Sequence, residues 1–248
     1  MLKSERHAYI LQQINLHNKV LSSMLSLNIQ VSEDTIRRDL IELSDEGKLI
    51  KVHGGALSHS FNLAPVFNGI YSQSHKKTIA QKAIDLVTNG MFVLTGGGTT
   101  IVEMAKLLPV NLNATFISGS IAAIVEYMKH PNIEVILIGD KISKSSRITV
   151  GPEAIAKLRQ IKADICFLGT NALDPQHGIT DNDWEVVHLK KAMIAASQKV
   201  VCLSIAEKIN TVQPIRVCGL ENIDVLITEL DPDDPLLEPY VMAGIQVL

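Results

Sequence analysis

Glycine and threonine residues cluster in one segment whose composition suits the binding of an anion. The segment LTGGGTTIVEMA, residues 94–105, passes from strand-like apolar residues through three glycines and two threonines into a helix-like pattern. Glycines let backbone N–H groups approach an anion, threonine hydroxyls donate further hydrogen bonds, and a helix N-terminus adds positive potential. Such a turn also occurs for packing alone, so both interpretations stand at this point. The candidate anion-binding residues are Gly97, Gly98, Thr99 and Thr100.

Two adjacent arginines, Arg37 and Arg38, lie in the segment SEDTIRRDL, residues 32–40. Guanidinium groups grip guanine edges or phosphates, and the hydroxyls of Ser32 and Thr35 are further polar groups for DNA. The alternative is a surface helix whose arginines form ion pairs with neighbouring carboxylates. Those carboxylates belong to Glu33, Asp34 and Asp39.

The sequence has no pattern for a metal or a cofactor. The glycine segment lacks both the lysine of a Walker loop and the GxGxxG fingerprint. The eight histidines show no metal-ligand spacing. The three cysteines lie singly in apolar stretches, so we expect reduced core residues. They are Cys166, Cys202 and Cys218.

Composition places the chain among globular α/β proteins. It has 248 residues, of which 46% are hydrophobic and 20% charged. No apolar run reaches the roughly 20 residues of a membrane span, so we expect a cytoplasmic protein without membrane contact. The net charge of −3 argues against non-specific nucleic-acid binding. Any contact with DNA therefore depends on where the basic residues lie.

The N-terminal residues have the pattern of three helices followed by a β-hairpin. Apolar spacing predicts helices over 5–16 and 21–27, and a third helix runs from a Ser32 N-cap to Gly47. The following KLIKVHGGALS predicts two short strands around a Gly-Gly turn. This order is that of a winged helix-turn-helix, and the wing favours the DNA interpretation of the arginines. Ile36 and Leu40 are expected to face the core.

The rest of the chain alternates between strand-like and helix-like segments. We predict a winged helix-turn-helix domain over 1–57, a linker over 58–74 and an α/β effector-binding and oligomerisation domain over 75–248. Val/Ile/Leu runs such as MFVLTG, ATFIS, EVILIG, DICFLG, KVVCLSI and VLITE are separated by amphipathic helices. This alternation predicts a mostly parallel sheet buried on both faces.

Several motifs together resemble the DeoR family of bacterial transcriptional regulators. VSEDTIRRDL followed by KVHGGA is similar to that family's reading helix and wing, and Arg6, Ile10 and Leu11 fall where its first helix begins. Later blocks GGGTT, VGPEA, ADICFLGTN, HGIT, KKAMI and VLIT extend the likeness over nearly the whole chain.

The resemblance implies a repressor of carbohydrate metabolism that binds an operator in double-stranded DNA. It implies an effector domain with a fold like ribose-5-phosphate isomerases and CoA transferases, which binds a phosphorylated sugar. We expect a dimer or tetramer, since one small DNA-binding domain covers few base pairs. The DNA-binding residues are Ser32, Thr35, Arg37, Arg38, Lys51, His53, Gly54 and Gly55, and the effector-binding residues beyond the glycine segment are Ser118, Ser120 and Lys208.

Two other residue groups carry less weight. Without the resemblance, Lys208 reads as a solvated side chain. Asp181, Asp183 and Trp184 follow HGIT in a predicted loop that either covers a ligand or is a polar surface turn. Ser118-Gly119-Ser120 replaces the family's Thr-Asn-Ser, and Ala172 replaces a glycine. These departures bear on which sugar binds.

Two rival functions remain open at this point. An enzyme of the isomerase or CoA-transferase type would need a positioned carboxylate, for which Glu103 and Glu153 are the nearest options, and neither lies in an acid/base pattern. A sugar-phosphate sensor whose N-terminal domain serves only for dimerisation is the second rival. A DNA-binding regulator is favoured over both.

Overall fold

The computed structural model describes residues 1–58, 71–139, 141–144 and 146–248. These residues form two compact units, 1–71 and 72–248. Most of the predicted linker, residues 59–70, lies outside the described residues. Among the helices that the structure describes, none combines the length and apolar character needed to cross a bilayer.

The first unit is a winged helix-turn-helix, as predicted. Each predicted helix and both strands of the wing are present, and an additional three-residue strand, β1, precedes the second helix. β1 pairs antiparallel with β3, which pairs antiparallel with β2. The elements are α1 (Lys3–His17), β1 (Lys19–Leu21), α2 (Ser22–Ile29), α3 (Glu33–Asp45), β2 (Ile50–Val52) and β3 (Gly55–Leu57).

Helix α3 begins and packs as its sequence dictates. The Ser32 hydroxyl accepts the Thr35 N–H at 3.2 Å, which satisfies one of the amides that a helix start leaves unbonded. Ile36 and Leu40 are fully buried, as expected. They belong to a core that also contains Ile10, Ile14, Leu25, Leu43 and Leu49.

Gly55 fixes the wing to the rest of its unit. The residue is buried at the start of β3, directly beside β1. A Cβ atom at this position would overlap the carbonyl oxygen of Val20. The requirement for glycine at this position is therefore the close approach of two strands.

The second unit is built on a seven-stranded parallel sheet. The strand order is β15-β14-β12-β9-β4-β5-β6, and every neighbouring pair is parallel, in agreement with the predicted α/β architecture. Central strands such as β9 are buried along most of their length, which explains their continuous apolar sequences. The strands are β4 (Phe92–Thr95), β5 (Ala114–Ser118), β6 (Ile133–Leu137), β9 (Ala163–Gly169), β12 (Ser197–Leu203), β14 (Val225–Ile227) and β15 (Gln246–Val247).

Helices connect these strands in two packed groups. α4 packs against α5 and α5 against α6, whereas α7 packs against α8. Helix α4 has no counterpart in the sequence prediction, and its first two residues fall within the predicted linker. The helices are α4 (Gln73–Ile84), α5 (Thr99–Leu107), α6 (Ile121–Tyr127), α7 (Pro152–Leu158), α8 (Trp184–Ala195) and α9 (Glu238–Met242).

Two small antiparallel sheets complete the second unit. β11 lies between β10 and β13, and β7 pairs with β8. The loop predicted after HGIT begins later than expected, because Asp181 ends β11 and is buried. The three cysteines are free and buried, consistent with reduced core residues. The strands are β7 (Lys141–Ser143), β8 (Ile148–Val150), β10 (Ala172–Asp174), β11 (Gly178–Asp181) and β13 (Ile215–Cys218).

Candidate DNA-binding surface and anion site

The two arginines of α3 differ in what they contact. Arg37 forms exposed ion pairs with Asp34 at 3.0 Å and Glu33 at 3.4 Å. Arg38 is also exposed, and it has no ion pair or hydrogen bond with any residue that the structure describes. The interpretation of the arginines as surface ion-pair partners therefore applies only to Arg37. Exposed pairs of this kind contribute little, about 0–1 kcal/mol, so both guanidinium groups can turn toward another anion.

Asp39 is directed inward and does not pair with Arg37 or Arg38. Arg6 of α1 donates two hydrogen bonds to the Asp39 carboxylate, from Nε at 2.6 Å and Nη2 at 2.9 Å. His7 Nε2 lies 3.1 Å from the same carboxylate. Burial alone would raise the pKa of Asp39, but the bonds from Arg6 and His7 hold this pKa below its usual value. The bidentate pair fixes the orientation of α3 on α1.

The predicted wing residues lie at or near the tip of the β2–β3 hairpin. His53 and Gly54 are exposed, and Lys51 is half-buried. The Gly54 carbonyl accepts the Ser22 N–H at 2.8 Å, which holds the tip beside the start of α2. The structure thus presents an arginine-bearing helix and a short polar hairpin tip within one unit.

The carboxyl ends of the parallel strands define the second candidate site. The chain runs from β4 outward through β5 and β6, then returns to β9 on the other side of β4 and continues outward through β12 and β14. The connections that follow β4 and β9 therefore lead toward opposite edges of the sheet. In open parallel sheets, ligands bind at such a reversal, outside the carboxyl ends of the strands. The glycine segment follows β4 at this edge.

The glycine segment is shaped by the strand on one side and by α5 on the other. The Gly96 N–H donates to the Phe167 carbonyl of β9 at 2.9 Å, and Gly98 is the N-cap of α5. Gly98 has φ 113° and ψ 160°, a conformation that side chains strongly disfavour. Thr99 is half-buried and Thr100 is buried in the first turn of the helix. Backbone amides and hydroxyls therefore lie together beside the β4–β9 boundary.

Ser118 and Ser120 make local hydrogen bonds in the next loop. The Ser118 hydroxyl donates to the Thr95 carbonyl at 3.0 Å and accepts the Ser120 N–H at 3.1 Å. The Ser120 hydroxyl accepts the Ala123 N–H at 3.4 Å as the N-cap of α6. Both side chains thus shape the loop beside the glycine segment.

Two buried lysines bind the backbone at the carboxyl end of β9. Lys190 Nζ donates to the Gly169 carbonyl at 2.9 Å and pairs with Asp181 at 2.8 Å. Lys208 Nζ donates to the Thr170 carbonyl at 2.7 Å. Burial disfavours the charged carboxylate, but Lys190 outweighs this effect and holds the pKa of Asp181 below its usual value. Both ammonium groups lie next to the β4–β9 boundary.

Lys208 lacks a carboxylate partner in the described part of the chain. Only 9% of the residue is exposed, which corrects the expectation of a solvated side chain. Burial, together with the charges of Lys76 and Lys190, lowers the pKa of Lys208 to about 7, against the opposing effects of Asp181 and Glu207. Lys76 of α4 is also buried, and burial lowers its pKa to about 8. Lys76 and Lys190 therefore lie close enough to Lys208 to disfavour its charged form.

Sequence reasoning missed Lys76 and Lys190, although a signal was present. Lys76 lies three, four and seven residues before buried Ile79, Ala80 and Ala83, so it continues the apolar face of α4. Lys190 lies four residues after buried Val186 and three before buried Met193, so it lies on the apolar face of α8. A lysine inside an apolar helical stripe indicates a buried charge. Asp181 belongs to the site as the partner of Lys190.

Asp183 and Trp184 have roles different from the predicted ligand-covering loop. The Asp183 carboxylate accepts the Glu185 N–H at 3.1 Å and is the N-cap of α8. Trp184 is the first residue of that helix, and 65% of its surface is exposed. Of the two carboxylates considered for catalysis, Glu103 is buried and pairs with Lys106 at 2.8 Å, and Glu153 is exposed.

Comparison with known families identifies both units. The DeoR-like helix-turn-helix domain matches residues 6–61, and the DeoR C terminal sensor domain matches residues 72–230. The class is therefore a helix-turn-helix regulator with a sensor domain. The chain belongs to the DeoR family of transcriptional regulators.

Relatives match this chain over its full length. It is 30% identical to the HTH-type transcriptional regulator GolR of Listeria innocua, covering 100% of this chain and 98% of the relative. It is 29% identical to the HTH-type transcriptional repressor GlcR of Bacillus subtilis, covering 100% and 96%. The prediction of a DNA-binding regulator rather than an enzyme is confirmed.

Among solved structures, ribose 5-phosphate isomerase A of Methanocaldococcus jannaschii matches 55% of this chain and 54% of its own, at 19% identity and a TM-score of 0.41. Similarity of that extent says nothing about activity.

Proposed function

We propose that this regulator senses a phosphorylated sugar and represses genes of carbohydrate metabolism. The observation that supports the effector class most strongly is Lys208, a buried lysine without a carboxylate partner among the described residues. An unpaired buried charge is costly, so a bound anion that pairs with it is strongly favoured. Perturbed lysines beside a glycine-rich helix start are typical of a binding site.

The phosphate is the part of the ligand that this region suits best. Backbone amides of Gly97 and Gly98 and the hydroxyls of Thr99 and Thr100 supply donors, while Lys208 supplies a charge at the edge of the same crevice. Inorganic anions satisfy part of this chemistry. A sugar phosphate adds hydroxyls that suit the polar groups on the neighbouring loop.

The DNA contacts are proposed for the exposed side of α3 and the wing tip. Arg37 and Arg38 reach base edges or phosphates, and Ser32 and Thr35 lie at the N-terminal part of α3 that enters the major groove in proteins of this type. The wing supplies Lys51, His53 and Gly54. Two or more copies of the chain bind repeated half-sites, because a single unit covers few base pairs.

Control of DNA binding requires that the effector distinguish between two arrangements of the assembly. A ligand that binds both arrangements equally shifts neither, whatever its affinity. The sugar phosphate therefore binds more tightly to the arrangement with low DNA affinity if it is an inducer. It binds more tightly to the other arrangement if it is a corepressor.

Calorimetry with sugar phosphates and their unphosphorylated parents tests the effector class. We expect esters to bind and parent sugars to bind at least about a hundredfold more weakly. The double variant Thr99→Val with Thr100→Val should lower ester affinity at least about tenfold, because each hydroxyl bonded to a charged group contributes roughly 1.5–3 kcal/mol.

The matched control is Thr88→Val, an exposed threonine that precedes β4 and so lies toward the opposite edge of the sheet. This variant should bind the ester as the wild type does. Equal affinity for esters and parent sugars, or full affinity in the Thr99/Thr100 double variant, would contradict the phosphate assignment to this segment.

A further inference from the structure

Trp184 is a large aromatic side chain in an unusual place. It is the single tryptophan of the chain, it begins α8, and 65% of it is exposed. Its ring stacks on His188 one turn further along, with 6.2 Å between ring centroids. Tryptophan is enriched among the residues that contribute most to protein interfaces, and its exposure leaves that apolar surface in water.

A groove of about 410 Å³ lies between α7 and α8 and extends along α8 from His188 to the end of the helix. We call it the α7–α8 groove. Its apolar lining comes from the last turns of both helices and the residues that follow them. The lining includes Ile155, Leu158, Ile161, Ala192, Ala195 and Ala196. The alanines of α8 have short side chains and leave space between the two helices, so a bulky side chain of another molecule can enter the groove.

The tryptophan and the groove are related by the geometry of one helix. Trp184 and Ala195 are the first and last residues of α8, and a rise of 1.5 Å per residue separates them by roughly 16 Å. The ring of Trp184 stacks on His188, which lines the near end of the groove, and the far end at Ala195 lies beyond the reach of that one side chain. Two copies of α8 packed antiparallel about a two-fold axis bring each tryptophan opposite the other copy's groove. Both contacts then form simultaneously, as a symmetric interface requires.

The charges at the two ends of α8 are complementary in the same arrangement. Glu185 is exposed next to Trp184, and it also pairs with Lys141 at 2.6 Å. The α7–α8 groove carries the exposed basic residues Arg159 and Lys191. Antiparallel packing places each acidic end against a basic groove. Parallel packing would instead place like charges together.

We propose that two copies of this chain associate through α8, with Trp184 of each lying in the α7–α8 groove of the other. The occupant is a second copy because the acidic start of α8, at Glu185, complements the basic groove that carries Arg159 and Lys191. The interface lies in the sensor unit, so it holds two DNA-binding units in one assembly. It goes beyond the proposed function, since it names the surface and residues through which the copies meet.

The test uses the full chain and follows the oligomeric state and tryptophan emission together over a dilution series. The wild type should show blue-shifted emission when associated, and emission should move to longer wavelength as light scattering reports dissociation. Ala195→Arg fills the groove but keeps Trp184. We expect a smaller assembly with red-shifted emission and a dissociation constant at least about thirtyfold higher, as for loss of a central interface residue.

Two further variants keep the test decisive. Met242→Arg alters another side chain of the sensor unit, 81% exposed and outside α8, and should leave association unchanged. Lys191→Glu should weaken association, and adding Glu185→Lys should restore it. Unchanged assembly and emission in Ala195→Arg would overturn the proposal. A wild type that stays monomeric at tens of micromolar, with emission typical of exposed tryptophan, would overturn it as well.

Discussion

Replacement of Lys208 by methionine is expected to lower the affinity for a sugar phosphate at least about thirtyfold. The buried ammonium has no carboxylate partner among the described residues, so its charge is available to a bound anion. Removing one partner of a buried, hydrogen-bonded charge pair typically costs 2–5 kcal/mol of binding free energy. Calorimetry on the wild type and the variant measures this loss.

The same variant should be more stable than the wild type without ligand at and below pH 7. Because burial lowers the pKa of Lys208 to about 7, the unfolded chain binds its proton more tightly than the folded chain between about pH 7 and the ordinary value of 10.5. Stability of the wild type therefore rises with pH across that window. Below about pH 7 the buried charge lowers the stability of the wild type by its full cost, on the order of a few kcal/mol.

Urea unfolding at pH 6 and pH 9 measures the stability effect. We expect a larger gain from Lys208→Met at pH 6 than at pH 9, reduced by the lost hydrogen bond to the Thr170 carbonyl. The control is Lys157→Met, which replaces an exposed lysine of α7. This variant should change neither the affinity for the ester nor the stability in urea. A variant that binds the ester normally and loses stability would mean that Lys208 serves only the fold.

Asp39→Asn should destabilise the winged helix-turn-helix by about 3 kcal/mol or more. The substitution leaves the Arg6 guanidinium largely buried without its carboxylate, and breaking a buried pair typically costs 3–5 kcal/mol. DNA binding should fall with it, because the pair holds α3 against α1. Asp34→Asn is the matched control, since the Asp34 side chain is 73% exposed and pairs only at the surface.

The pH dependence of this effect has a definite sign. The pKa of Asp39 is below its ordinary value of 3.8, so its stabilising contribution is present above pH 3.8 and is lost as the pH falls through the folded-state pKa. The difference between the wild type and Asp39→Asn should therefore narrow in acid. Urea unfolding over that pH range measures it. Equal stability of the Asp39→Asn and Asp34→Asn variants at pH 7 would contradict the claim that the Arg6–Asp39 pair stabilises this unit.

The elements with strong local signals were predictable from sequence. The Ser32 cap with buried Ile36 and Leu40 defines α3, and Gly54, with a φ of 74°, lies in the predicted wing turn. The buried strands have continuous apolar runs, so the parallel sheet follows from the pattern alone. Family motifs then identified the regulator. The glycine segment was placed correctly between β4 and α5.

Features that depend on distant partners were not predictable. β1 has three residues and exists because it pairs with β3, which lies 36 positions later in the chain. The inward direction of Asp39 depends on Arg6, 33 residues away. Lys190 and Lys208 meet at the end of β9 only after the sheet has formed. Local sequence carries no information about such pairings.

Selection of DNA from a random duplex pool, followed by titration of the selected sequence, tests the central claim most directly. The claim is that this chain reads an operator through α3 and that a phosphate ester controls its affinity. The wild type should enrich a sequence with two related half-sites. Arg38→Ala should bind it roughly 5- to 150-fold more weakly, the equivalent of 1–3 kcal/mol for a base contact, or show a smaller salt dependence for a phosphate contact.

Adding the sugar phosphate found by calorimetry should change the affinity of the wild type for this DNA, whereas its parent sugar should not. The Lys208→Met variant should bind the DNA but respond little to the ester. A pool without any enriched sequence would contradict the claim of operator recognition. DNA affinity that no phosphate ester alters would contradict the claim of effector control.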